Sequence, residues 1–294
     1  MTTTTTTTRL AKQNPNDRDA HIHFEEGPHK YTIQGIAGIT PESAFTSVTT
    51  LVHQHFEHFD AKKIIAGMMR NQKKWNDPIA NAKYYGKSAQ EIEQMWSTAG
   101  RDAAMAGTEM HYKIECFYNA DAAPETAPAV PADTTPEFKY FLNFNRDCVA
   151  TETPKLRPYR TEWTVFHEEA RIAGSIDMVY EVIDPAAEQQ QEQRLAIYDW
   201  KRCREITKTN RANKFATHPA IEHIPDSNFW HYALQLNIYK YILQSKYGKT
   251  ITDLYLVVLH PEAQNYQCVK LPDLQSEVAE LFEERIRHFA AATE

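Results

Sequence analysis

Two spacings of apolar residues divide the chain. In its second half, residues 160–167, 171–183 and 195–201 alternate or run apolar over the length of a strand, and 253–260 and 266–271 do so again. Such runs, rich in Val, Ile, Tyr, Phe and Trp, mark β-strands, whose side chains point to opposite faces in turn. Elsewhere apolar residues recur every three to four positions, the spacing of one helical face. That spacing predicts helices over 61–75, 89–96, 98–118, 137–150 and 228–246. A last one carries Leu274, Val278, Leu281, Phe282, Arg285 and Phe289. A helix through Val48, Leu51, Val52 and Phe56 is capped by Thr46 or Ser47, whose hydroxyl can accept from a free N–H of the first turn. Ahead of it, 21–25 and 30–33 flank Glu26-Gly27-Pro28-His29 and read as a hairpin.

This order of elements predicts a fold class. Helices come first, then three strands, a helix, two strands and a helix. Three successive strands with short connections form an antiparallel meander, and helices cover it. We expect an α/β (α+β) fold, a mixed β-sheet flanked by helices with a helical N-terminal extension. Residues 1–20 read as a disordered tail, 21–96 as a hairpin and helical accessory region, and 97–294 as the core. Within the core, about 120–136 is a disordered insertion, with Pro124, Pro128, Pro131 and Pro136 among alanine, threonine and acid. The glutamine- and acid-rich stretch 184–193 reads as a polar loop.

Composition narrows the class of protein. The chain has 294 residues, 42% hydrophobic and 24% charged, as in ordinary globular proteins. No apolar run is long enough to span a bilayer. The threonine tract after Met1 lacks the apolar core of a secretory signal. Cys116, Cys148, Cys203 and Cys268 are far apart and form no C-x-x-C pair, which suggests reduced thiols in an intracellular protein and no iron–sulfur or zinc signature. The net charge of −7 argues against a generally basic nucleic-acid binder. Locally, Lys201, Arg202, Arg204, Lys208, Arg211 and Lys214 face a single acid, Glu205, across 201–214. That segment reads equally as a solvated loop or as a phosphate-binding one.

Several polar residues stand where packing alone does not explain them. On the strand 195–201, Asp199 and Lys201 face one side and Trp200 the other. Taken alone, the pair reads as an ion pair at a strand end. Asp177 stands among β-forming apolar residues, where a carboxylate must be paired, protonated or bound to a metal. Gly107, His111 and Glu115 follow at i, i+4 spacing and share a helix face. Glycine in mid-helix costs about 1 kcal/mol relative to alanine, which predicts a close backbone neighbour at Gly107. His53, His55 and His58 do not share a face and are assigned no metal. Gln235 and Tyr239 lie one turn apart on a helix and by themselves read as a solvent-facing flank.

Four segments in order carry a resemblance. Gly107-Thr108-Glu109-Met110-His111 with Glu115, Gly174-Ser175-Ile176-Asp177, Asp199-Trp200-Lys201 and Gln235-Leu236-x-x-Tyr239 resemble the PD-(D/E)XK nuclease superfamily, and within it the RecB-like exonuclease branch. The chain is also similar to mitochondrial genome-maintenance exonucleases and to nuclease-like proteins of large DNA viruses and phages. The interval from Asp177 to Asp199 is longer than is usual there, and the 184–193 loop accounts for the excess.

The resemblance implies a restriction-endonuclease-like core and a metal-dependent DNA nuclease, an exonuclease on single strands or ends before an endonuclease. Asp177, Asp199, His111 and the backbone carbonyl of Trp200 would hold Mg²⁺ or Mn²⁺, with no iron–sulfur cluster. Lys201 would stabilise charge on the phosphorane and orient or deprotonate the attacking water. Glu162 and Glu115 would hold metal-bound water or Lys201. Gln235 and Tyr239 would position the DNA or the active-site strand. Arg202, Arg204, Lys208, Arg211 and Lys214 would contact phosphates, and Tyr84, Tyr85, Trp96 and Trp230 either stack on bases or pack in the core, a choice the sequence leaves open. DNA is the expected partner. A non-catalytic nucleic-acid-binding scaffold and an RNA endonuclease are the alternatives the sequence leaves open.

Overall fold

A computed structural model describes residues 9–120, 135–184, 192–210 and 212–291. Most of the expected insertion, most of the polar loop and Arg211 lie outside these residues. The N-terminal part holds α1 (Arg9–Gln13), a 3-10 turn (Asp17–His21), the hairpin β1 (Ile22–Glu25) and β2 (Lys30–Ile33), and the two-residue β3 (Thr46–Ser47). Next come α2 (Val48–Gln54), α3 (Ala61–Arg70), α4 (Gln72–Trp75), α5 (Ala89–Asn119) and α6 (Pro136–Cys148). The sheet strands β4 (Leu156–His167), β5 (Ile172–Val182) and β6 (Arg194–Lys201) precede α7 (Asn228–Tyr247). The chain closes with β7 (Thr250–Val258), β8 (Gln267–Lys270) and α8 (Gln275–Ala291).

The fold is α+β, with helices flanking a mixed sheet of six strands. Strands β4, β5 and β6 form the expected antiparallel meander. Beyond it, β6 runs parallel to β7, and β7 antiparallel to β8. Strand β5 has β4 along one edge. Its other edge is shared, with β3 at Ile172 and Ala173 and β6 at Met178 to Glu181. Residues 174–177 of that edge, between the two, take no strand partner.

Two cores sandwich the sheet. On one side Val48, Leu51 and Val52 of α2, Phe229, Leu236 and Ile242 of α7, and Val278 and Phe282 of α8 cover Ile176, Val179 and Ile197. On the other side Met110, Ile114 and Tyr118 of α5 and Phe141 and Phe144 of α6 cover Met178, Tyr180, Tyr198 and Trp200. Strand β6 lies between them, and Leu195 through Trp200 are all buried. A strand covered on both faces reads as a continuous apolar run, as this one does.

Local chemistry sets the helix ends. The Ser47 hydroxyl accepts from the Thr50 amide at 3.1 Å and starts α2. Ser88 and Glu91 form a capping box at the start of α5. Gly248, at φ 60°, ends α7 in a left-handed turn.

Four expectations change. Residues 9–20, expected within a disordered tail, form α1 and a 3-10 turn and pack on the body. Leu10 is buried, its amide donates to Asn119 Oδ1 at 3.1 Å, and Asn14 Nδ2 donates to the Tyr159 carbonyl at 2.8 Å. The helix expected over 61–75 is two, because the Asn71 side chain leaves α3 to cap α4 by accepting from the Lys74 amide. The helices expected over 89–96 and 98–118 are one, so the boundary set at 96/97 falls inside α5. Among the described residues, no atom beyond the local backbone of α5 lies within 4 Å of where a Cβ on Gly107 would be, so no neighbouring backbone explains that glycine.

Candidate metal centre

The unpartnered stretch of β5 is where polar groups gather. Past the Met178–Tyr198 pair, β6 leaves β5, and no strand carbonyl meets the Trp200 amide. The side chain of Asp177 does so instead, its Oδ2 accepting from Trp200 N at 3.0 Å. At the other end of the gap, Gly174 lies against α7 and α2. A Cβ there would sit 2.8 Å from Tyr239 Cε1 and 3.0 Å from Val48 Cγ2. Glycine is required by that contact, since real Cβ atoms do not come so close.

Opposite Asp177, Glu162 of β4 has φ 43°, a left-handed conformation that costs a non-glycine residue energy. Side chains two apart in a regular strand share a face. Ile176 nevertheless packs under α7 and Met178 under α5 and α6. The expected alternation of β5, with Ile176, Met178 and Tyr180 on one face, therefore breaks at Asp177. The break sits beside the strained Glu162, whose Oε2 accepts from Ser175 Oγ at 2.8 Å.

From the helix side, α5 brings in His111. Its Nε2 lies 2.9 Å from the Trp200 carbonyl oxygen. A carbonyl only accepts, so Nε2 carries a proton, and Nδ1 is left to face the carboxylates, as a lone pair toward a metal or as a second N–H toward the acids. That nitrogen faces Asp177 Oδ2 at 3.4 Å and Glu162 Oε1 at 4.0 Å. One ligand atom from each of His111, Glu162 and Asp177 falls within 4.8 Å of the others. Two carboxylates and an imidazole nitrogen thus converge, and a shared proton, on His111 or on Glu162, or a cation must lie between them. One imidazole and two carboxylates form a largely hard donor set, which suits Mg²⁺ or Mn²⁺.

Asp199 and Lys201 adjoin this cluster. Lys201 Nζ lies 2.6 Å from Asp199 Oδ2 and 4.6 Å from the centre of the Tyr232 ring. Asp199 is 2% exposed. Burial, then the negative charge of Asp177, pushes its carboxyl up to about 6, against the pull of Lys201 and His111. The same two causes push Glu162 up to about 7, with His111 and Ser175 opposing them. Burial acts to lower the Lys201 pKa, but Asp199 and Asp177 together outweigh it and raise the pKa above the ordinary lysine value. Lys201 is thereby held as an ammonium.

The expected site residues divide into three groups. His111, Asp177 and the Trp200 carbonyl meet as expected. Glu162 joins them directly, whereas the Asp199 carboxylate is turned to Lys201 and lies outside the three-residue cluster. Behind them, Tyr239 is buried against Gly174, and Gln235 hydrogen-bonds it. Neither is a solvent-facing flank. Glu115, one turn beyond His111, is half-buried, and burial and Glu26 raise its pKa.

The expected phosphate contacts are largely engaged by acids. Arg202 pairs with Glu137 at 2.6 Å, Arg204 with Glu262 at 3.1 Å and Lys214 with Glu57 at 2.6 Å. Lys208 lies over the Phe229 ring at 4.7 Å. Trp230 donates its Nε1–H to the Lys208 carbonyl, and Trp96 donates to Tyr84 Oη at 2.9 Å. The sequence motif includes Gly174 and Ser175 without a role for either, and Tyr232 is a part of the site that sequence reasoning passed over. Tyr232, Gln235 and Tyr239 stand at i, i+3 and i+7, and that spacing on one helix face is the signal that finds Tyr232.

No protein-family model matches the chain, and no curated protein matches it. Among solved structures, one described as the crystal structure of SSO0001 is similar over 86% of this chain and 79% of its own, at 14% identity and a TM-score of 0.28. A superposition that loose carries no argument. Among the described residues, no helix is long and apolar enough to cross a membrane.

Proposed function

We propose that this chain is a metal-dependent DNA nuclease of the PD-(D/E)XK type, acting as an exonuclease on single strands or ends. The observation that supports it is the convergence of His111, Glu162 and Asp177 beside the buried Asp199–Lys201 pair. Two carboxylates pressed together are costly without a counter-charge, and a cation is the counter-charge their oxygens suit. His111 Nδ1, Asp177 and Glu162 would hold Mg²⁺ or Mn²⁺, with the Trp200 carbonyl at the rim. When bound, such an ion polarises a phosphoryl oxygen and makes its water acidic.

The chain's own residues supply the rest. Lys201, as an ammonium, stabilises negative charge developing on the phosphoryl oxygens. Asp199 and Asp177 favour its protonated form, which suits an electrostatic role. Asp199 and the Tyr232 ring fix the ammonium in place. Ser175 orients Glu162, and the Trp200 amide orients Asp177.

The test is a time course on 5′- and 3′-labelled linear DNA with Mg²⁺, Mn²⁺ or EDTA, and with circular DNA alongside. Wild type should shorten linear DNA from one end only when a divalent ion is present. Asp177→Asn and Lys201→Met should lose that activity. Undiminished cleavage by both variants would remove this site, and cutting of circles would make the enzyme an endonuclease. Ribo-oligonucleotides under the same metal condition separate DNA from RNA cleavage.

A further inference from the structure

The chain is acidic overall, but residues 61–87 are not. They carry Lys62, Lys63, Arg70, Lys73, Lys74, Lys83 and Lys87 against one acid, Asp77. This stretch is α3, α4 and the turns that follow, resting on the outer part of α5. Ile65 of α3 and Ile92 of α5 are buried between them, and Trp96 packs near Phe59 and Tyr84. The unit is an arm with its own small core. Lys63 and Arg70, two turns apart on α3, share the face opposite Ile65. Among the described ion pairs of the arm, only Lys63 meets a carboxylate, Glu57 at 3.6 Å.

Between the arm and the body of the protein lies a cleft of about 710 Å³. Phe59, Lys63 and Ile64 line one wall, and Asn210, Lys214 and His231 the other. Its acids are already neutralised or engaged. Glu57 is paired with Lys214, Asp226 with His231 at 2.9 Å, and Asp60 caps α3. Phe59 is 72% exposed at this cleft. His53 and His231 also line a smaller cavity of about 130 Å³ that reaches Tyr232 and Gln235. Tyr232 carries the Lys201 ammonium on its ring. The two cavities share His53 and His231, so the smaller one links the cleft wall to the Tyr232 ring that holds Lys201. Along α5 the distance from Ile92 to His111 is about 28 Å at 1.5 Å per residue.

We infer that a single strand of DNA runs from this cleft over the exposed outer side of the arm, a base stacked on Phe59 at the cleft and its phosphates beyond the cleft on Arg70, which continues the Lys63 face of α3, and on Lys73 and Lys74 of α4. The inference rests on the nuclease reading for its substrate. It moves the phosphate contacts from the acid-paired 201–214 segment to the arm. Exposed cations with no ion pair among the described residues, on the same arm as an exposed aromatic ring, are groups that hold a strand without reading its sequence. A duplex would find no stacking partner there.

The experiment measures binding of a fluorescent oligo-dT by anisotropy in EDTA, where no cleavage occurs, over a range of salt. Arg70→Ala/Lys73→Ala/Lys74→Ala should weaken binding at least about tenfold and flatten the salt dependence by about two, at about 0.7 per phosphate contact. Lys139→Ala/Arg146→Ala/Arg287→Ala removes the same charge from exposed positions elsewhere and should bind as wild type. Phe59→Ala should weaken the oligo-dT complex about fivefold or more with an unchanged salt slope. Equal loss in both triple variants, or none in the arm variant, would overturn the inference. Equal affinity for a duplex would overturn the assignment to a single strand. Wild type that binds through the arm but never cleaves leaves this surface standing and removes the nuclease. Wild type that cleaves, with arm variants unchanged in binding and cleavage, does the reverse.

Discussion

Replacing Lys201 by Met takes the ammonium away from a carboxylate that has nowhere else to turn. Asp199 is 2% exposed, and its Oδ2 lies 2.6 Å from the lysine nitrogen. Methionine keeps most of the apolar stem and removes only the charge. Breaking one half of a buried ion pair costs about 3–5 kcal/mol. The protein limits that loss by taking up a proton, and the cost of doing so depends on pH. With Lys201 present the carboxyl is already pushed up to about 6, and without it the pKa rises further. A carboxyl raised above its unfolded value binds more protons folded than unfolded, so the variant's stability falls as pH rises. Because the wild-type carboxyl already sits near 6, the two proteins should differ little at pH 5, and at about 1.36 kcal/mol for each unit between 6 and 8 the variant should lose up to about 3 kcal/mol more at pH 8. Urea unfolding in metal-free buffer, followed by tryptophan fluorescence at both pH values, measures it. Asp199→Asn/Lys201→Met should regain most of the stability at pH 8. A loss that is the same at both pH values, or a double variant no more stable than the single one, would refute the reasoning.

Other substitutions probe packing and titration elsewhere. Gly174→Ala should lower stability by about 1–3 kcal/mol in thermal unfolding, because its Cβ meets Tyr239 and Val48 at 3.0 Å or less. Gly107→Ala, in open space on α5, should raise it by up to about 1 kcal/mol, and a reversal of these signs would sink both arguments. Burial, with Lys246 assisting, pushes His167 down to about 4. A base depressed in the folded state binds fewer protons there, so stability should fall as pH drops from 6.5 towards 4, by at most about 3 kcal/mol. His167→Phe should flatten that limb of the pH profile. Mn²⁺ at a hundredfold excess over its Kd should stabilise wild type by about 2.7 kcal/mol and leave Asp177→Asn unmoved, read as a shift in Tm.

Much of this was written in local pattern. Periods of two and of three to four placed five of the six sheet strands and most helices, since each buries a face or a stripe. His111, Asp177 and Lys201 stood out because they interrupt such patterns, and they do converge. What escaped was long-range or conformational. The position of Glu162 depends on a positive φ and a broken alternation that no spacing announces. The acids that engage Arg202, Arg204 and Lys214 come from Glu137, Glu262 and Glu57, far away in the chain. The ordering of α1 depends on Asn119 and Tyr159, which sequence proximity does not link to it. The charge of 61–87 was visible as composition, while its cleft exists only once α3 lies on α5.

One backbone group records what happens at the centre. The Trp200 amide is closed off by the Asp177 carboxylate, where a neighbouring strand would ordinarily do it. Whatever draws that carboxylate away exposes one N–H deep in β6 to deuterium, while its flanking amides keep their partners. Isotope uptake at this single position is thus an intrinsic gauge of occupancy, readable with no label, no substrate and no turnover.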